Sequence, residues 1–207
     1  MGDRYVLGHR AVTLAGGRGY GQSMTTAGAV DVVELIGNPR LGSRTRTLAD
    51  ATVAALAAGG GIPVGAVRVL ELGEIVGVSF GAEPASGSGA VADPFGAVRA
   101  ARLLVVATPT YKGTYTGLLK VFLDQFGHRE LAGTVAVPVA IAVSAAYRDS
   151  VGAALTALLI ELGASVPAPP LALLESQLTA LDDSAAQWAA QHGGAIVEAL
   201  TASAVRA

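Results

Sequence analysis

The chain reads as an α/β protein: a doubly wound parallel sheet of five strands with helices on both faces. Three observations predict it. Residues 32–36, 67–72, 103–107 and 135–143 are short, continuous apolar runs, each closed by turn residues. Segments with helical spacing separate them. Strands that are apolar throughout, rather than on alternate residues, are strands buried on both faces, as parallel sheets covered by helices require.

The elements follow in order. The run Val32-Val33-Glu34-Leu35-Ile36 is the first strand. Leu48, Thr52, Ala55 and Leu56 share one face of a helix that stops at Gly59-Gly60-Gly61. Residues 67–72 give the second strand, and 81–91 form a flexible loop by composition. Asp93-Pro94 caps and starts a helix. The third strand, 103–107, is broken by Thr108-Pro109-Thr110-Tyr111, and Leu118, Leu119, Phe122 and Leu123 give a helix over 115–126. The fourth strand is 135–143, and a helix over 151–162 stops at Gly163. A fifth strand, 166–174, is weakened by three prolines, and an amphipathic helix runs from Leu178. This succession fits a flavodoxin-like sheet of strand order 2-1-3-4-5, which binds ligands outside the carboxyl ends of strands 1, 3 and 4. Three loops are singled out: 37–45, 108–115 and 144–149.

Residues 1–30 have no clear periodicity and are rich in glycine, so they read as an N-terminal extension, flexible or lying on a subunit surface, ahead of a domain over 31–207. The glycines at 16–21 do not make a dinucleotide fingerprint: Gln22 stands where the third glycine belongs, and no strand leads in.

Composition narrows the function. A net charge of −2 with 14% charged residues gives no basic footprint for nucleic acid. Cysteine is absent, which excludes disulfides, thiolate catalysis and zinc–cysteine sites and fits a cytoplasmic protein. No apolar run reaches the roughly 18 residues of a membrane span. Arg4, His9, Arg10 and Arg18 interrupt any signal-peptide core. His9, His128 and His192 lack ligand spacing and read as structural or exposed. Arg68, Asp124 and Arg148 have no partner assignable from sequence.

The first loop, Gly37-Asn38-Pro39-Arg40-Leu41-Gly42-Ser43-Arg44-Thr45, offers hydroxyls, two arginines and free N–H groups at a helix start. Those are the groups an anion needs, a phosphate above all; the alternative is an ordinary capped βα turn. Gly37 and Gly42 have Walker A spacing, but Ser43 replaces the lysine and Arg44 the magnesium-binding hydroxyl, so a metal-free phosphate monoester fits better than a triphosphate. In the second loop, Pro109 ends the strand. Gly113 either lets backbone approach closely or makes a turn. Tyr111 and Tyr115 either stack near an aromatic ring or pack beneath a helix.

With both loops in view, residues 31–200 resemble the NAD(P)H-dependent FMN reductases, most nearly the group that supplies reduced flavin to sulfonate monooxygenases. The first family motif, Gly-Ser-Pro-Arg-x-x-Ser-Arg/Ser-Thr/Ser, stands here as residues 37–45 with Asn38 in the serine position. The second, Thr-Pro-x-Tyr-Lys-x-x-Tyr-x-Gly-x-Leu-Lys, is Thr108 through Lys120 without a gap. The resemblance implies FMN and NADPH or NADH as cofactors. It implies that Arg40, Ser43 and Thr45 hold the 5′-phosphate, with Asn38 and Arg44 among the cofactor-binding residues of the same loop. Pro109, Thr110, Tyr111, Lys112 and Gly113 would line the ring and ribityl chain, with Ser144 and Ala145 at the pyrimidine edge. A tyrosine matching Tyr115 forms a helix bulge at the tetramer interface in the sulfonate group, which implies a helix irregularity here and a homodimer or homotetramer. One departure stands out: Ser144-Ala145-Ala146 replaces the family's Thr-Gly-Gly, and alanine at positive φ costs about 1 kcal/mol or more.

The implied reaction is hydride transfer from nicotinamide to FMN, with no side-chain acid or base required. Free FMN, a small-molecule acceptor and a flavin-dependent monooxygenase are the implied partners. Two alternatives stay open: a quinone, azo-dye or metal reductase that retains its FMN, and a flavin-binding electron-transfer module without a nicotinamide site.

Overall fold

The structure, a computed structural model, describes residues 28–76 and 93–204. Residues 1–27, all but the last three of the expected 1–30 extension, and the loop expected over 81–91 lie outside the described residues; Val30, expected in the extension, opens the first strand. Five parallel strands form one sheet in the order β2-β1-β3-β4-β5. They are β1 (Val30–Ile36), β2 (Val64–Glu71), β3 (Leu103–Pro109), β4 (Val135–Ala142) and β5 (Leu171–Leu174). The expected strand order is the observed one.

The helices are α1 (Arg44–Ala58), α2 (Leu72–Ile75), α3 (Pro94–Arg99), α4 (Gly117–Leu123), α5 (Ala145–Glu161) and α6 (Leu181–Ala204), with a 3-10 turn over Glu175–Ala180. β3 and β4 are buried almost end to end, which is why their sequences are apolar without alternation. One core layer joins α1 and α6 to the sheet through Leu48, Leu56, Val105, Val137 and Ile196. The other joins α3, α4 and α5 through Val98, Leu104, Phe122, Leu155 and Leu159. Phe95 stacks on Phe122 with ring centroids 4.7 Å apart, closing the second layer. In the first layer α6 lies so close to the end of α1 that a Cβ on Gly193 would stand 2.5 Å from Gly60.

Several boundaries differ from the sequence expectation, four of them for a clear local reason. β5 keeps only its last four residues, because Pro167, Pro169 and Pro170 cannot donate to a ladder. β3 runs on to Pro109, which pairs with Ile141 as the last residue of the strand. α4 starts at Gly117, since Thr116 takes the N-cap. α5 starts at Ala145 rather than near 151, since Ser144 caps it. Asp93 caps α3 as expected, its carboxylate accepting Gly96 N–H with Pro94 in the first turn.

Candidate functional site

The loops after β1, β3 and β4 leave neighbouring strands at the same edge of the sheet, and hydrogen bonds tie them together. Thr116 is the clamp between the first two. Its Oγ1 donates to Gly37 O at 2.5 Å and accepts Leu119 N–H at 3.1 Å, while its own N–H donates to Thr108 Oγ1. Gly37 has to be glycine, because α4 crosses it: a Cβ there would lie 2.8 Å from Leu119 Cβ. The third loop joins through Ser150, whose Oγ donates to Gly113 O at 2.8 Å. Thr110 N–H and Oγ1 both donate to Ile141 O at the end of β4.

The first loop is pre-built by Asn38. Its Nδ2 donates to Thr45 Oγ1 at 3.1 Å, and its Oδ1 accepts Arg40 N–H at 2.9 Å. An amide holds a donor and an acceptor on separate atoms and so can staple both ends of the loop at once, which a serine hydroxyl is too short to do. Asn38 and Thr45 are buried. Ser43 caps α1 by accepting Arg46 N–H. The first amides of α1 therefore face outward with the helix dipole behind them.

The two arginines of the loop differ. Arg44 is engaged by Glu175, Nη2 to Oε1 at 2.8 Å. Arg40 is exposed and its guanidinium has no ion pair among the described residues. A guanidinium without an ion pair among the described residues, a buried threonine hydroxyl and the outward amides of a fifteen-residue helix suit a phosphate monoester, so the residues present fit the expected ligand end.

The second loop is a tight two-residue turn. Tyr111 N–H donates to Thr114 O at 2.9 Å and Thr114 N–H returns to Tyr111 O at 3.2 Å. Lys112 and Gly113 carry φ of 54° and 88°, the pair of positive values that this hairpin-type turn demands. The positive φ supports the turn reading of that glycine; a Cβ there would meet the Tyr147 ring at an ordinary contact distance of 3.5 Å, so close approach does not demand glycine. Lys112 holds the left-handed conformation without being glycine, at about 1–2 kcal/mol. Tyr111 is 45% exposed, whereas Tyr115 is half-buried against the second core layer. The helix bulge expected at Tyr115 does not form, because Tyr115 precedes the cap of α4 and lies outside any helix.

At the third loop the expected strain is absent. Neither Ala145 nor Ala146 has positive φ; both are first-turn residues of α5, where alanine is the most favourable choice. Ser144 Oγ accepts Tyr147 N–H, and the N–H groups of Ala145 and Ala146 have no acceptor within the helix.

A charged cluster behind the first loop was not anticipated from sequence. Glu34 on β1 is 1% exposed, and its Oε2 lies 3.8 Å from Arg46 Nε. Burial pushes its carboxyl up to about 8, and a hydrogen bond and charge repulsion from Asp50 push the same way, opposed by Arg46. Arg46 also binds Asp50 at 2.8 Å and Glu71 at 3.4 Å. A charged residue inside the apolar run 32–36 was the visible signal. The orphan charges resolve simply: Asp124 pairs with Lys120, Arg148 with Asp149, and Arg68 lies exposed on the edge strand β2. His128 is exposed, and His192 packs beside Trp188 on α6.

Taken together, a parallel sheet in the order 2-1-3-4-5 and three bonded loops at its carboxyl edge define a flavodoxin-like α/β protein. Among solved structures, the chain is similar to an apo NADH:FMN oxidoreductase, at 26% identity over 84% of this chain and 90% of that one, with a TM-score of 0.62. It shares its fold with an oxidoreductase of Corynebacterium diphtheriae, at 24% identity over 82% and 98% of the two chains, TM-score 0.63. The model of the NADPH-dependent FMN reductase family matches residues 30–178, and the chain belongs to that family. An FMN reductase (NADPH) of Escherichia coli strain K12 is 43% identical over 61 residues, 30% of this chain; the match spans about a third of that relative's length.

Proposed function

We propose that the protein is an NAD(P)H-dependent FMN reductase that passes a hydride from nicotinamide to FMN. The observation that carries this is Arg40, ahead of α1 and without an ion pair among the described residues, in a loop already stapled by Asn38 and joined to the 108–116 turn through Thr116. Arg40, Ser43, Thr45 and the first amides of α1 would hold the 5′-phosphate. Pro109, Thr110, Tyr111 and the Lys112-Gly113 turn would flank the ring, with Ser144 and Ala145 at its pyrimidine edge. FMN, when bound, supplies the hydride-accepting chemistry, so the chain needs only to bind, orient and shield. Membership of the FMN reductase family and the similarity to an NADH:FMN oxidoreductase support the reading.

Oxidation of NADH and NADPH with and without added FMN tests it. Saturable turnover that depends on added FMN is expected. Purified yellow protein that oxidises neither nucleotide would overturn it. Non-exchanging FMN with direct quinone turnover would move the assignment to a reductase that retains its flavin.

In the finer reading, reduced FMN is released to a flavin-dependent monooxygenase and the protein works as a homodimer or homotetramer. The exposed Val121, Val143, Tyr147 and Ile160 on and beside α4 and α5 support self-association, since they leave apolar surface uncovered. Light scattering at micromolar concentration should give a mass of two or four chains; a monomer would remove the oligomer.

A further inference from the structure

We propose that Glu71 is a positioning residue for the phosphate loop: by holding Gly42 N–H it fixes the segment that presents Arg40 to the FMN 5′-phosphate. The inference rests on the reading of residues 37–45 as the phosphate site.

Glu71 is the last residue of β2 and sits level with Ile36, the last residue of β1. Its Oε1 accepts Gly42 N–H at 2.9 Å. Pro39, Arg40, Leu41 and Gly42 are all exposed, so no core packing holds them. Their two fixed points are Asn38, which takes Arg40 N–H, and Glu71, which takes Gly42 N–H. Arg40 lies between the two. Gly42 also has φ of +56°, immediately before the cap Ser43, so its orientation sets how the chain enters α1. A second contact ties the end of β2 to the loop: α2 brings Gly73 beneath Pro39, where a Cβ would stand 2.7 Å from Pro39 O.

A carboxylate near a phosphate site opposes the ligand's charge unless it is compensated. Arg46 supplies the compensation, Nη1 to Glu71 Oε2 at 3.4 Å, and is itself held by Asp50 at 2.8 Å. The two oxygens of Glu71 thus divide their work, one on the loop backbone and one on the cation. The geometry needs an acceptor at Gly42 rather than a negative charge, and this separates the two informative variants.

Binding of FMN and riboflavin is followed by flavin fluorescence in the full chain, with amide hydrogen exchange over 39–43 in the absence of flavin. Glu71→Ala should raise the FMN dissociation constant about tenfold, leave riboflavin unchanged and speed exchange at Gly42. Glu71→Gln keeps one acceptor for Gly42 N–H and turns its NH2 toward Arg46, which Asp50 still holds, so it should bind FMN close to wild type with Gly42 still protected. Wild-type FMN affinity in Glu71→Ala with unchanged exchange would overturn the inference. So would a Glu71→Gln variant that loses FMN affinity. If Glu71→Ala does not fold, Glu71→Gln and its exchange pattern decide by the same criteria. Failure of the underlying reading looks different: wild-type protein would then bind FMN and riboflavin equally. A phosphate preference abolished by Arg40→Ala but intact in Glu71→Ala overturns only the role of Glu71.

Discussion

Arg40→Ala is expected to weaken FMN binding by about 10- to 100-fold and to leave riboflavin within about twofold. The two flavins differ only in the phosphate, so the difference between them isolates the contact. The magnitude is that of a charge-assisted hydrogen bond to an oxyanion. Arg44→Ala is the internal comparison. Arg44 is already engaged by Glu175 at 2.8 Å, while Arg40 is free among the described residues. Its loss should therefore cost FMN affinity much less than the loss of Arg40. Fluorescence titration of both variants with both flavins makes the check. Equal losses for FMN and riboflavin in Arg40→Ala would remove Arg40 from the phosphate site.

Glu34→Gln is expected to stabilise the protein, and increasingly so as pH rises from 5 to 8. In the folded chain the Glu34 carboxyl is pushed up to about 8 by burial and by Asp50. In the unfolded chain it ionises near the ordinary glutamate value of about 4.3. Between those values the folded state holds the extra proton, so stability falls as pH rises. The contribution is complete below the unfolded value and is lost above the folded one. Glutamine cannot ionise, and its amide can donate to Asp50 as the protonated carboxyl does. The variant escapes the loss, which amounts to at most about 5 kcal/mol. Thermal unfolding at pH 5, 6.5 and 8 should show a melting-temperature advantage that grows by roughly 5–10 °C across the series. A difference that stays constant with pH would show that Glu34 is ionised throughout.

Much of the fold was legible because its signals are local. Continuous apolar runs mark strands buried on both faces, and helical spacing between them leaves few arrangements other than a doubly wound sheet. The loops at strand ends were legible for the same reason. Boundaries were less so, since competing local preferences decide them. Residues 166–170 are apolar but proline-rich, and the missing donors cut β5 back to Leu171. Residues 145–150 read as loop, although Ser144 followed by two alanines is a good helix start, and the cap extended α5 over them. That extension also removed the strain expected at Ala145 and Ala146, because helix φ is negative there.

What the sequence determined by itself was the kind of protein. The loop 37–45, the unbroken run from Thr108 to Lys120 and the alternation of strand and helix point to the FMN reductase family, and the family model matches residues 30–178. What only the tertiary structure decided was which of the chemically similar groups is available for binding. The sequence already favoured Arg40 as the phosphate cation, but what engages Arg44 was not legible in it. Folding brings Glu175, more than a hundred residues away, onto Arg44, and it places Glu34, Glu71 and Asp50 around Arg46 behind the loop. Charge pairing depends on distance in space, and a strand, a helix and a distant turn meet there only when the sheet closes.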